Sequence, residues 1–148
     1  MYNSESRQGG TPTVNERSDN GHTVLLVDDN EDVRSLMTFW LEERGYRVVQ
    51  AANGDLGVEA AIREHPHVIL MDICMPHLNG FTAARRILAQ EQLRDVPIIA
   101  ISAHDVDELH GAAIDAGCVE LLGKPIDSGR LENVLSRLLP GTAHASDA

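Results

Sequence analysis

Basic residues, long apolar runs and glycine-rich loops are scarce in this sequence, and each shortage excludes a class of protein. The chain has 12 Lys and Arg residues against 23 Asp and Glu residues, which gives a formal net charge of -11. Non-specific binding to nucleic acid or to an anionic membrane needs clustered basic side chains. Arg85-Arg86 is the only adjacent basic pair, so we expect no direct nucleic-acid partner.

No apolar run approaches the roughly 20 residues needed to cross a bilayer, and the polar N-terminus lacks the layout of a secretory signal. We therefore expect no membrane insertion and a cytoplasmic location. The two cysteines fit that compartment, because Cys74 follows one predicted strand and Cys118 begins another. A strand of about five residues would hold them beyond the roughly 7 Å limit for a disulfide.

A glycine-rich phosphate loop is also missing. The turn after the first predicted strand reads DDNED, which excludes dinucleotide-binding and P-loop sites. Flavin binding is disfavoured, because an acidic edge would repel the flavin phosphate unless a metal intervened. No cysteine lies at zinc-ligand spacing from the histidines, and we interpret these as surface residues: His65, His67, His104 and His110.

The sequence does contain one domain of alternating apolar patterns. Its length, 148 residues, suits a single folded unit, and its 43% hydrophobic and 24% charged residues are typical of a globular protein. Residues 1–21 are polar and without periodicity, so they are predicted to form a disordered tail. The folded domain is predicted over 22–140, and 141–148 form a short C-terminal tail.

Five short apolar runs, each followed by a helical pattern, predict an α/β fold. The strands are predicted at 24–27, 47–51, 67–71, 98–101 and 118–122. The first helix is predicted to bury Val33, Leu36, Met37, Trp40 and Leu41, and the second Val58, Ala61 and Ile62. Short connections favour a doubly wound, five-stranded parallel sheet with helices on both faces and strand order 2-1-3-4-5. Asn30, Asn53 and Asp105 are predicted to cap helices.

Polar residues follow the predicted strands at the edge where open α/β sheets keep their sites. The first strand is followed by Asp28 and Asp29, the third by Asp72, the fourth by Ser102 and the fifth by Lys124. Each has an ordinary alternative role, such as a helix cap or a solvated turn residue. Together they predict one site.

Three neighbouring aspartates repel one another, and a hard divalent cation resolves that repulsion. Mg2+ suits the cluster best, because it takes oxygen ligands from a few carboxylates and from substrate phosphate. Beside such an ion, Asp72 could accept a phosphoryl group as a carboxylate nucleophile. Lys124 could pair with that group and Ser102 could donate its hydroxyl to it. The set therefore predicts an aspartyl-phosphate site.

At these motifs the sequence resembles the receiver domains of two-component response regulators, over about residues 22–140. The resemblance rests on VLLVDDNEDVR, VILMDICMPHLNG, IIAISA and LLGKPI, in the order and close to the spacing of that family. It implies a flavodoxin-like fold in which Asp72 is phosphorylated. It also implies that Asp28, Asp29, Asp72 and the backbone carbonyl of Cys74 hold Mg2+.

The resemblance assigns further roles. It implies that Ser102 moves to meet the phosphoryl group, that Lys124 pairs with it, and that the Lys124-Pro125 bond is cis. Many receivers carry an aromatic switch residue where this chain has Leu121, and threonine is commoner than serine at 102. The remaining switch and tuning positions are Ala103, His104 and Pro125. By the same resemblance, Cys74 and His104 should affect the lifetime of the phosphorylated state more than its formation.

The resulting prediction is a stand-alone response regulator, since only eight residues follow Pro140. It would promote only its own phosphorylation and dephosphorylation. A sensor histidine kinase or histidine phosphotransfer protein would supply the phosphoryl group, and an unknown target would receive the signal. We expect a monomer or weak homodimer. Two alternatives are a degenerate receiver that only docks, and a haloacid-dehalogenase-type phosphatase, for which Cys74 replaces the general acid.

Overall fold

The computed structural model describes residues 19–75 and 79–139. The two predicted tails fall outside these residues, except for 19–21, and so does Pro140, the last residue of the predicted folded domain. The boundaries proposed for the tails and the folded domain therefore stay predictions.

Strands and helices alternate along the described chain, as the apolar patterns predicted. The five strands are β1 (Thr23–Val27), β2 (Arg47–Ala51), β3 (Val68–Asp72), β4 (Ile98–Ser102) and β5 (Glu120–Gly123). The five α-helices are α1 (Glu31–Glu43), α2 (Gly54–Glu64), α3 (Gly80–Leu88), α4 (Val106–Asp115) and α5 (Ser128–Leu138), with a short 3-10 turn at Glu91–Leu93.

The strands form one parallel sheet in the order β2-β1-β3-β4-β5, which confirms the predicted topology. Strands β3 and β4 are fully buried, because helices cover both faces of the sheet. One layer of the core joins β1, β3 and β4 to α2, α3 and α4. The other layer packs alternate side chains of the same strands against α1 and α5. All five strands therefore end at a common edge.

Capping side chains fix where the helices begin. Asn30 accepts a hydrogen bond from Val33 N at 3.0 Å and so caps α1, and Asn53 caps α2 in the same way. Asp105 caps α4. These three caps confirm the predictions made from residue type and spacing.

Two residues predicted to face the core do not. Leu36 on α1 is 72% exposed and Ile62 on α2 is 38% exposed. Leu41 marks the buried stripe of α1, and a helix that turns about 100° per residue places Leu36 about 140° away from it. Ile62 likewise lies beyond the stripe that Ala60 and Ala61 form on α2.

The bounds of β2 match the prediction, and those of the other strands differ from it by at most two residues. The largest shift is at β5, predicted from Cys118 but observed from Glu120. Gly117 takes a positive φ of 94°, and Cys118 N donates to Ala113 O at 2.9 Å. Cys118 therefore still belongs to the turn that closes α4. In the parts of the chain that the structure describes, no helix is both long and apolar enough to cross a membrane.

Candidate functional site

The carboxyl edge of the sheet brings the predicted site residues together. Among the described residues, the buried polar or charged side chains are Asp28, Asp72 and Ser102, each at most 3% exposed. Asp28 directly follows β1, and the other two end β3 and β4. Burial of such groups is costly unless they are paired, so their concentration at one edge marks a site.

Asp28, Asp29 and Asp72 form an acidic cluster in which one carboxylate oxygen of each lies within 4.8 Å of the others. Asp29 is exposed, whereas the other two are buried. Burial raises the pKa of Asp72, and the charge of Asp28 raises it further, against the lowering effect of the Cys74 N–H and of Lys124. The carboxylate of Asp72 is therefore more basic than that of an ordinary aspartate.

Lys124 lies against both buried carboxylates. Its Nζ donates to Asp28 Oδ2 at 3.1 Å and to Asp72 Oδ2 at 3.3 Å. Partial burial lowers the pKa of Lys124, but the hydrogen bonds and charges of the two aspartates outweigh this effect and raise it overall. The ammonium is thus charged at neutral pH and neutralises part of the cluster. The Lys124-Pro125 bond is cis, as the resemblance implied.

Ser102 lies at the end of β4, completely buried. Its Oγ accepts a hydrogen bond from His104 N at 2.9 Å and lies 3.9 Å from Cys74 Sγ. The Lys124 N–H donates to Ser102 O at 2.9 Å. The hydroxyl therefore lies where β4 leads into the β4–α4 connection. It is also close to Cys74, which follows Asp72 by two residues.

The other tuning positions surround this edge. Ala103 and His104 are exposed on the β4–α4 connection, and Pro125 is exposed after β5. Leu121 points into the core beside α4 and is 4% exposed. In this conformation the Leu121 side chain is not accessible from the surface.

Asp28 is held by contacts that the sequence reasoning did not identify. Arg34 Nη1 donates to the main-chain oxygen of Asp28 at 2.8 Å, and Arg34 Nε donates to Gln50 Oε1 at 3.1 Å. A signal was present in the sequence, because Arg34 lies one helical turn after the capping Asn30 and can reach back to the loop. The contact with Gln50 on β2 could not be read from spacing.

Gly80 allows α3 to begin directly against the end of β3. A Cβ at this position would lie 2.5 Å from Asp72 O and 2.6 Å from Ile73 Cα. Asn79 caps the helix at the same point. The first residue of α3 therefore packs directly against the main chain of Asp72.

The donor set fits a hard divalent cation. Three carboxylates converge with only one ammonium between them, and Mg2+ prefers oxygen ligands of this kind. The described residues that could hold the ion are those of the acidic cluster. Cys74, whose carbonyl was predicted as a fourth ligand, adjoins the site and donates its N–H to Asp72 Oδ1 at 3.0 Å.

The chain is similar to known proteins over most of its length. The response regulator receiver domain matches residues 24–136. Protein PilH of Pseudomonas aeruginosa is 36% identical over 120 residues, and the alignment covers 80% of this chain and 98% of PilH.

Solved structures agree with this match. The Vibrio cholerae chemotaxis protein CheY4 superposes with a TM-score of 0.75 at 29% identity, covering 80% of this chain and 98% of that one. The receiver domain of the Pseudomonas aeruginosa sensor histidine kinase PA1611 superposes with a TM-score of 0.74 at 37% identity, covering 80% and 97%. That structure holds a magnesium ion in its active-site cleft.

Proposed function

Since this chain belongs to the response regulator receiver family, we propose that its Asp72 accepts a phosphoryl group from a phosphorylated histidine of a partner protein. The observation that carries this proposal is the buried pair of Asp28 and Asp72 with Lys124 Nζ within 3.3 Å of both. Receiver domains in general exchange phosphoryl groups with histidine kinases or phosphotransfer proteins. The particular partner of this chain is to be identified by experiment.

The transfer needs no general base, because the nucleophile is already a carboxylate. An oxygen of Asp72 forms the new bond to phosphorus while the bond between phosphorus and the imidazole nitrogen of the donor breaks. The displaced imidazole takes up a proton from solvent.

The acidic cluster would hold Mg2+ during this step. Asp28, Asp29 and Asp72 are the ligands we propose, together with the backbone carbonyl of Cys74. The bound ion supplies positive charge that offsets the charge of the phosphoryl oxygens. Its presence also removes the repulsion that the three carboxylates otherwise exert on one another.

Lys124 and Ser102 complete the proposed site. Lys124 now divides its hydrogen bonds between two carboxylates, and a phosphoryl group on Asp72 would offer it additional acceptors. Ser102 would donate its hydroxyl to a phosphoryl oxygen. Its Oγ accepts the His104 N–H and keeps its own proton free to donate, so it is movement of Oγ toward the phosphoryl group that would break this bond and couple phosphorylation to the β4–α4 connection.

This coupling gives a route for the signal. Release of the His104 N–H would free the connection that leads into α4, so the surface from Asp105 to Leu139 would change its binding properties. Leu121 is already packed in the core, so we propose no rotamer switch at that position. The chain would act on no external substrate, and the partner that binds the altered surface would provide the output.

Coverage of nearly the whole of PilH supports a regulator built from a single receiver domain. The intact set of Asp28, Asp29, Asp72, Ser102 and Lys124 counts against a degenerate receiver that only docks. The phosphatase alternative has no support from the family match or from the exposed thiol at position 74.

The proposal is tested by incubating the protein with acetyl phosphate and Mg2+ and recording its intact mass. One added phosphoryl group is expected in the wild type, and none is expected in Asp72→Asn or after addition of EDTA. Asp55→Asn is the matched control, because Asp55 is exposed on α2 with only a surface partner, Arg86. It should be phosphorylated like the wild type.

Because a receiver can be selective for its donor, the same variants should be tested with a phosphorylated histidine kinase. Addition to Asp72→Asn, or no addition to the wild type from either donor, would contradict the proposal.

A further inference from the structure

The main chain of Asp28 is fixed on both sides. Its N–H donates to Ala51 O of β2 at 3.1 Å, and its carbonyl oxygen accepts from Arg34 Nη1 at 2.8 Å. Its carboxylate also accepts from Asn30 N at 2.9 Å. The Arg34 side chain is thus one of the groups that determine where the carboxylates of the β1–α1 loop lie.

Gln50 holds the guanidinium in place. Its Oε1 accepts from Arg34 Nε at 3.1 Å, which leaves Nη1 directed at the carbonyl of Asp28. The planar guanidinium can make both bonds at once, whereas an ammonium would make one and lose the other. The contact therefore links α1, β2 and the loop that carries the acidic pair.

The positive charge of Arg34 does not explain its position near a cation site. A positive charge near a cation site repels the cation, so Arg34 works against Mg2+ binding through its charge. Through its hydrogen bonds it works in favour of binding, because it holds the loop in the conformation that brings the acidic cluster together. The two effects predict opposite consequences when the side chain is removed.

We propose that Arg34, oriented by Gln50, is a positioning residue that fixes the main chain of Asp28 for cation binding by the acidic cluster. This inference rests on the proposed function of that cluster as a Mg2+ site. Groups that orient metal ligands commonly change metal affinity by about tenfold or more when they are removed. Arg34→Met should therefore bind Mg2+ about tenfold more weakly than the wild type.

Arg63→Met provides the matched control. Arg63 borders the same surface depression as Arg34, but its side chain is 61% exposed and pairs with Glu64. Both substitutions remove one positive charge. Arg63→Met should bind Mg2+ as the wild type does or slightly more tightly, because only the charge effect operates there.

Gln50 supplies a second, independent variant. Gln50→Leu should weaken Mg2+ binding, and the double variant with Arg34→Met should bind no more weakly than Arg34→Met alone if Gln50 acts through Arg34. Arg34→Lys keeps the charge and one donor, so it should recover part of the lost affinity. If Arg34 and Gln50 only stabilised the fold, the Mg2+ affinities of these four variants would not follow this order.

The measurement is isothermal titration of each full-length variant with MgCl2, at a temperature where circular dichroism shows all variants folded. Weaker binding by Arg34→Met with unchanged binding by Arg63→Met supports the inference. Binding by Arg34→Met that equals or exceeds that of the wild type overturns it. A wild type that binds no Mg2+ would instead overturn the proposed metal site, and with it the role of Arg34.

Discussion

The two ends of the parallel sheet satisfy their polar groups in different ways. At the carboxyl end, side chains from distant elements meet, and Lys124 bonds to Asp28 and Asp72 across 96 and 52 residues of sequence. At the amino end, most of the bonds are between main-chain groups, such as His67 N to Thr23 O at 2.9 Å. Some side chains contribute there as well: His67 Nδ1 accepts from Thr23 N at 2.9 Å, and Glu120 accepts from Arg130 and Arg137.

The amino end of the sheet contributes to the stability of the fold, whereas the carboxyl end contributes to the chemistry of the site. Buried like charges at the carboxyl end raise the free energy of the folded state when no cation is bound. These charges therefore do not stabilise the fold, and their role is to bind a ligand. The hydrogen bonds at the amino end are of the kind that stabilise any sheet. Changes at the carboxyl end should therefore depend on Mg2+, whereas changes at the amino end should not.

The largest effect is expected from a substitution that displaces the main chain at the carboxyl end of the sheet. Gly80→Ala would place a Cβ 2.5 Å from Asp72 O, so α3 or β3 must shift, and the free energy of unfolding should fall by about 3 kcal/mol. Displacement of Asp72 should also slow phosphorylation. Urea unfolding and the mass assay measure the two effects.

Gly111→Ala is the control for that substitution. Gly111 is exposed on α4, and a Cβ there would meet nothing within 4 Å. The same chemical change should raise stability by about 0.5 to 1 kcal/mol, because alanine favours the helix. Equal effects at the two glycines would show that the contact of α3 with β3 is not tight.

Removal of the internal cation should have the next largest effect. Lys124→Met leaves Asp28 and Asp72 buried without their counter-ion, and we expect a loss of about 2 kcal/mol without metal, since Lys124 remains 25% exposed. Saturating Mg2+ should restore more stability to the variant than it adds to the wild type. Arg137→Met, which removes an exposed partner of Glu120, should change stability by less than about 0.5 kcal/mol.

The pH dependence of this loss follows from the direction of the pKa shift. The pKa of Lys124 is raised in the folded protein, so its contribution is complete below the ordinary lysine pKa and is lost only as the pH rises through the raised value. The difference between wild type and Lys124→Met should therefore persist from about pH 6 to pH 9. A difference that vanishes within this range would contradict the ion pairs.

A smaller effect of opposite sign is expected at Asp72, the proposed phospho-acceptor. The pKa of Asp72 is raised by burial and by Asp28, so the folded state favours the protonated form and loses stability as the pH rises through the raised pKa. Asp72→Asn removes this loss. Without metal, the variant should be more stable than the wild type by about 1 kcal/mol at pH 7, and the gain should shrink toward pH 4.

Mg2+ should reverse that order. The ion should stabilise the wild type and have less effect on Asp72→Asn, which lacks one of its ligands. Thermal unfolding with EDTA and with MgCl2 at both pH values gives the four comparisons. A variant that is less stable than the wild type at pH 7 in EDTA would contradict the raised pKa.

The sequence was sufficient for the fold because each element carries its own local signal. Apolar runs located all five strands, and Asn30, Asn53 and Asp105 marked three helix starts through residue type alone. The prediction failed where a local pattern was ambiguous. Leu36 fits the helical spacing but lies outside the stripe that the sheet covers, and nothing in the sequence shows which edge of the apolar face meets the core.

The residues of the site could be predicted as a set, because parallel strands end at one edge, but their contacts could not. The sequence does not show that Lys124 bonds to two carboxylates at once, or that Ser102 Oγ accepts the His104 N–H. Arg34 was missed altogether. Its partner Gln50 lies on β2, and that contact exists only after the sheet has assembled.

The smallest expected effect is at the amino end. His67→Phe removes the acceptor of the Thr23 N–H, and water can replace it because His67 is exposed, so the cost should be about 0.5 to 1 kcal/mol. The loss should be the same with and without Mg2+, and phosphorylation should be unaffected. His110→Phe, at an exposed position on α4, should change stability by less than about 0.5 kcal/mol. A Mg2+-dependent effect of His67→Phe would show that the two ends of the sheet are energetically coupled, because the substituted residue is not among the proposed ligands of the ion.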